Sequence, residues 1–213
     1  MKELAVTEFI DKLGSNEPTP GGGAAAGVTA GLGIGAILMA LKFSTNKKMS
    51  DDDKKFLLAK IQEFEKSKDL FKELIDRDAT DFGPLSEAYG MPKTTDEEKQ
   101  ARQEAIEEGL KIASQPPIEL LKEVEKITED LHKLVPLTKK IIISDLGVGA
   151  QMLRSAVHAS SLNLAINAGQ LKEEAIKKEY KALSTTTVEQ VSIKLDQVYK
   201  DVQDILNYTK KKG

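Results

Sequence analysis

The chain has 213 residues, 40% of them hydrophobic and 31% charged, with a net charge of −3. This suits one domain with a sizeable core, and the interleaved, slightly acidic charge argues against a general nucleic-acid binder. There is no cysteine and only two histidines, His132 and His158, so disulfides, thiolate zinc sites and cysteine nucleophiles are excluded and imidazole-held metal chemistry fits poorly; these totals suit a cytoplasmic protein.

Residues 2–13 predict a short amphipathic helix with Leu4, Phe9 and Leu13 on its apolar side, then a turn-rich loop from Gly14 to Pro20. Helix two is expected from Gly22 to Ser44, with Gly23, Gly27, Gly31 and Gly35 sharing one face. Each interior glycine costs a helix about 1 kcal/mol relative to alanine. The run therefore demands a neighbour packed closely enough to exclude a Cβ. No charge lies between Pro18 and Leu41, and small-xxx-small spacing also marks membrane helices. The dominance of Gly and Ala, and a highly charged remainder with no second such stretch, favour a core helix. Acidic Glu3, Glu8 and Asp11 ahead of it do not fit a signal peptide.

Residues 53–76 repeat apolar groups at helical spacing (Leu57, Ile61, Phe64, Phe71, Leu74), and Gly83-Pro84 is expected to interrupt them. After a Gly90–Thr94 loop, Thr95 and Glu98 form a capping box that opens the next helix. Pro116-Pro117 suits the first turn of the helix after that, whose stripe runs Ile118, Leu121, Val124, Ile127, Leu131, Leu134. LVPLTKKIII is the sole strand candidate and equally the start of a buried helix. A sixth helix is expected over Asp145–Gly169, and a last one carries Val188, Val191, Leu195, Val198, Val202 and Ile205 at 3,4 spacing. The expected fold is all-α: one domain over residues 1–213, a bundle of about seven helices, with the glycine/alanine-rich helix two and sixth helix innermost.

Four places carry chemistry. Pro20, Gly21, Gly22 and Gly23 stand at a helix head, where free N–H groups can bind an anion, although such a run can also be no more than a tight entry. LIDRDATDF crowds Asp76, Asp78 and Asp81 at a helix end. Carboxylates that close raise one another's pKa, as a general acid requires; a solvated helix end is the alternative. Calcium fits poorly, because Asp81 stands where an EF-hand loop requires glycine. On the sixth helix Asp145, Gly149, Met152, Ala156, Ala159, Asn163 and Asn167 share a stripe. Asp145 and Asn163 lie about 27 Å apart along it, so one ligand reaches both only if an antiparallel helix of a second copy intervenes. Ser144 and Asp145 can equally serve as an N-cap, and His158, off the stripe, reads as a packed histidine. Lys47, Lys48, Lys93 and Arg102 can bind carboxylates or simply solvate the surface.

Together PTPGGGAAAG (18–27), LIDRDATDF (74–82), MPKTTDEEKQAR (91–102), SDLGVGAQML (144–153) and NLAIN (163–167) resemble the cyclodeaminase/cyclohydrolase family, in its order and spacing. That family comprises the C-terminal domain of formiminotransferase-cyclodeaminase and stand-alone methenyltetrahydrofolate cyclohydrolases. The resemblance implies an all-helical homodimer acting on a tetrahydrofolate derivative as substrate, with no permanently bound cofactor and no metal, nucleic-acid or membrane partner. It implies a carboxylate acid/base at Asp78, with Asp76 and then Asp81 as the next choices. It implies that Asp145 supports the cationic one-carbon unit or orients the pterin, and that Asn163 and Asn167 bond the pterin edges. Lys93 and Arg102 would hold the glutamate tail, and the glycine turn would let the ligand approach the backbone. The chain departs from the family at PLTKKIII, where many members have Gly-Asn, and at Ala24, often serine. A folate-binding homologue without catalysis and a purely structural helical dimer are the competing readings.

Overall fold

In the computed structural model, which describes residues 1–210, the chain folds into α1 (Val6–Leu13), α2 (Gly22–Ser44), α3 (Asp51–Gly90), α4 (Asp96–Ala113), α5 (Gln115–Leu134), α6 (Ile143–Gln170), α7 (Glu174–Ala182) and α8 (Val188–Lys210). A π-helical turn, Leu183–Thr187, joins the last two. No strand occurs among the described residues: Val135–Ile142 is a series of turns, and Ile143 begins α6.

α2 is the core helix. Ala30, Ile34, Ile37, Ala40 and Leu41 are fully buried on it, and it packs most extensively on α6 and α3. Its length and composition would also let it cross a membrane, with a mean hydropathy of 1.9, but 56% of that window is buried inside the protein. α2 and α6 meet backbone to backbone. A Cβ added to Gly149 would lie 2.5 Å from the Gly33 carbonyl oxygen and 2.6 Å from Ile37 Cγ1. The four-residue glycine stripe is only partly used within the protomer. Gly23 and Gly27 face α3, through Asp78 and Ile75, whereas an added Cβ at Gly31 or Gly35 would meet nothing within 4 Å. Gly33, off that stripe, makes the close crossing.

Two elements differ from the sequence reading. α3 runs unbroken through Gly83 and Pro84 for 40 residues. Proline inside a helix costs about 3 kcal/mol or more, and packing just beyond it offsets that cost. Leu85 and Ala88 are buried, and Gly109 of α4 comes so close that its added Cβ would sit 2.8 Å from Leu85 Cα. The second is α7, a short amphipathic helix to which the sequence reading gave no element; it buries Tyr180, and Ile176 packs against the core. It is capped from another element: the Glu107 carboxylate of α4 accepts from the Lys172 and Glu173 N–H groups at 3.0–3.1 Å. The other boundaries follow local rules. The Thr95/Glu98 capping box is formed at the head of α4, and Pro116 and Pro117 occupy the first turn of α5.

Candidate active site

The head of α2 has no side chain of its own to cap it, because the N-cap is Gly21, in extended conformation. The first N–H groups of a helix lack intrahelical acceptors and carry partial positive charge. α3 supplies the missing acceptor. Asp78 reaches across, and its Oδ2 accepts from the Ala24 N–H at 2.9 Å. The fit requires a bare backbone: a Cβ on Gly23 would lie 1.8 Å from Asp78 Oδ1 and 2.5 Å from its Cγ. Gly23 therefore seats the carboxylate, a role distinct from the close ligand approach expected of the turn. Burial pushes the Asp78 carboxyl above the usual range; the Ala24 N–H pulls it back, and the nearby Asp81 charge adds to the rise. A partly desolvated carboxyl of this kind keeps its proton to higher pH than an exposed one, which favours general acid work.

Asp78 lines a cavity of about 220 Å³. One wall is Pro18, Thr19, Gly21, Gly22 and Gly23; the others are Phe82 of α3, Ala113 at the end of α4, and Asn163, Ile166 and Asn167 of α6. The Asn163 amide is oriented by α6 itself, its Nδ2 donating to the Ala159 carbonyl at 3.0 Å. That leaves Oδ1 as an acceptor beside Gly22, whose added Cβ would lie 3.6 Å from it. The cavity thus offers one partly desolvated carboxyl, two amides and helix-head N–H groups. Among the described residues no group of three or more His, Asp or Glu side chains could hold a metal ion.

Of the residues expected at the site, the structure gathers Gly21, Gly22, Gly23, Asp78, Asn163 and Asn167 around one cavity. Pro20 is buried just behind the turn. The others lie elsewhere. Asp76 is two residues from Asp78, about 200° around the helix. Its Oδ1 accepts from the Met1 amino group at 2.6 Å, and that bond holds its carboxyl below the usual range. Asp81 pairs with Arg77 at 3.2 Å, and Arg77 also pairs with Glu119 at 2.8 Å. Lys93 is exposed in the α3–α4 loop. Arg102 donates to the Tyr89 carbonyl at 3.4 Å, while its buried Nε has no partner. Asp145 sits in the first turn of α6, at the end remote from Asn163, and the N-cap there is Ile142. His158 is exposed, its Nε2 3.0 Å from Ser192 Oγ, so the packed-histidine reading does not hold.

The PLTKKIII segment belongs to that far end. Lys47 Nζ donates to the Pro136 and Thr138 carbonyls, and the Lys139 N–H donates to Ser44 Oγ at 2.8 Å. Ser44 lies about 33 Å along α2 from Gly22, so this departure from the family pattern is far from the cavity within a protomer. Five lining residues lie outside the expected site: Pro18 and Thr19 beside the glycine turn, Ala113 at the end of α4, and Phe82 and Ile166. Phe82 falls one turn after Asp78 and Ile166 lies between the two asparagines, so helical spacing alone could have found both.

A sequence model of the formiminotransferase-cyclodeaminase family matches residues 5–185. The methenyltetrahydrofolate cyclohydrolase of Methylorubrum extorquens is 31% identical over 175 residues, covering 82% of this chain and 84% of that protein. The formimidoyltransferase-cyclodeaminase of Gallus gallus is 30% identical over 182 residues, 85% of this chain but only 34% of that protein. The chain thus spans about a third of that larger relative. In fold it is similar to the crystal structure of formiminotetrahydrofolate cyclodeaminase from Thermotoga maritima, with a TM-score of 0.78 over 98% of both chains at 21% identity. From the matched span and these relatives, the chain belongs to the formiminotransferase-cyclodeaminase family.

Proposed function

We propose that this protein converts one-carbon derivatives of tetrahydrofolate, as a methenyltetrahydrofolate cyclohydrolase or a formiminotetrahydrofolate cyclodeaminase, with Asp78 as general acid/base. The observation that carries the reading is a partly desolvated carboxyl at the head of α2, in the same cavity as two α6 amides. Family membership and the names of the relatives supply the substrate class. In the cyclohydrolase direction, water adds to the cationic carbon held between N5 and N10. Asp78 takes the proton that water loses and returns it to N5 as the C–N5 bond breaks, while the remaining hydroxyl proton passes to solvent, which leaves the formyl group on N10. In the cyclodeaminase direction N10 attacks the carbon of the protonated formimino group and gives its proton to the Asp78 carboxylate. The carboxyl passes it to the amino group as the C–N bond breaks, and ammonia departs to leave the methenyl cation. Both steps turn on a proton delivered to an amine leaving group, which a carboxyl of raised pKa does well. The ionised carboxylate also stabilises the cationic carbon in a site sheltered from water. Asn163 and Asn167 bond the pterin edges, and Arg102, with its unpartnered Nε, holds the glutamate tail together with Lys93.

The reading includes a homodimer. α2 exposes Leu32, Met39 and Phe43 beside the bare Gly31 and Gly35, and α6 exposes Val148 and Leu162. Val148 and Leu162 stand seven residues either side of Ser155. A two-fold axis there would pair each with the other on antiparallel helices and bring Asp145 of the partner subunit toward the cavity. Incubation with 5-formimino- and 5,10-methenyltetrahydrofolate side by side, followed by methenyl absorbance, tests the activity. Turnover of one of them is expected; folate binding without turnover of either would contradict the catalytic reading. Sedimentation should give a dimer, and a fully active monomer would remove that part.

A further inference from the structure

We infer that Phe82 recognises the aryl group carried on N10 of the substrate and so sets a preference for folates over pterins that lack it. This rests on the folate reading above. The cavity holds about 220 Å³, below the roughly 300–1,000 Å³ of pockets that enclose a whole drug-sized ligand. It has room for one ring system, and the rest of a folate must leave across its rim.

Chemistry says where the exit lies. The aryl group is bonded directly to N10, one of the two nitrogens flanking the reacting carbon. Any pose that brings that carbon to Asp78 therefore sets the aryl ring within about one helical turn of the same carboxyl. Phe82 is the residue one turn on from Asp78 along α3, about 6 Å in rise, and it lines the same cavity. Phe64 and Phe71 of the same helix are buried at 1% and 0%, whereas Phe82 is 38% exposed. Ile166, 66% exposed, lines the cavity as well. The rest of the lining is glycine backbone, the two amides, Pro18, Thr19 and Ala113; the amides suit the polar edges of a pterin, and none of these offers an aromatic face. Aromatic rings prefer offset or edge-to-face contact with another ring, and among the described residues Phe82 is the only aromatic side chain lining this cavity.

The test compares wild type, Phe82→Ala and Phe82→Leu on two ligands. One is the folate substrate identified in the paired assay, read as KM and kcat. The other is 6-methyltetrahydropterin, which has no aryl group, read as a competitive inhibitor. Phe82→Ala is expected to raise KM for the folate about tenfold, with a much smaller change in kcat and none in the pterin inhibition constant. Phe82→Leu keeps the apolar volume, folds should the alanine variant not, and is expected to show a smaller loss confined to the folate. Equal losses for both ligands, or none for either, would overturn the inference while the folate reading stands. A wild-type protein that neither binds nor turns over folate would overturn both.

Discussion

The inner and outer faces of α2 use the same residue type in opposite ways. On the inner faces Gly23, Gly27 and Gly33 are pressed by Asp78, Ile75 and the α6 backbone. On the outer face a Cβ added at Gly31 or Gly35 would meet nothing within 4 Å, and Leu32, Met39 and Phe43 of the same helix are apolar and exposed. A glycine costs the helix the same at either place. Inside, the return is visible: a seated carboxyl and a close helix crossing. Outside, no return is visible in one copy, which is why the proposed second copy belongs on that face.

Substitutions to alanine probe this contrast directly. Gly23→Ala should have the largest effect. Its methyl would displace the Asp78 carboxylate from the Ala24 N–H, and turnover should fall by about 10²–10⁴, the usual contribution of a positioned acid/base, as read by methenyl absorbance. Gly149→Ala should act on stability instead. Its Cβ would strike the Gly33 carbonyl and Ile37, costing about 1–3 kcal/mol as overpacking does. That is a fall of about 2–4 °C in melting temperature per kcal/mol for a chain of this size. Gly35→Ala should reverse the sign in a dilute, monomeric sample, where the helix gains up to about 1 kcal/mol, while sedimentation shows weaker self-association. Unchanged self-association would remove α2 from the interface. The smallest effect is expected for Asp76→Asn. Its partners are the amino terminus and Lys2 at the surface, so stability should change by at most about 1 kcal/mol, with turnover intact.

Much of this was legible from local chemistry. The Thr95/Glu98 box, the paired prolines of α5 and the 3,4 stripe of α8 depend on neighbours in sequence, and each element is where its pattern points. What escaped depends on distant partners. Pro84 is tolerated because Leu85 meets Gly109 of α4, and α7 is held by Glu107. Neither contact leaves a mark in the segment it stabilises. The site divides in the same way. Helical geometry already sets Asp76 and Asp78 on different faces, but which one turns inward depends on the long-range approach of Gly23. Asp145, Lys93 and Arg102 were given their roles by the family resemblance, and none of them lines the cavity of an isolated protomer.

The proposed chemistry rests on Asp78, and Asp78→Asn isolates its proton from its shape. Burial raises the folded pKa above the unfolded value, so the ionised carboxylate is the form that folding disfavours. The stability this group allows is fully present below the ordinary aspartate range and is lost as pH rises through the raised folded pKa. The neutral amide escapes that loss. The variant should melt higher than wild type at pH 7, with the gap closing as pH falls below about 4. Methenyl absorbance on this folded variant is the decisive measurement: turnover of the folate substrate should drop at least about a hundredfold with folate binding retained, and wild-type turnover would contradict the assignment of Asp78 as the acid/base.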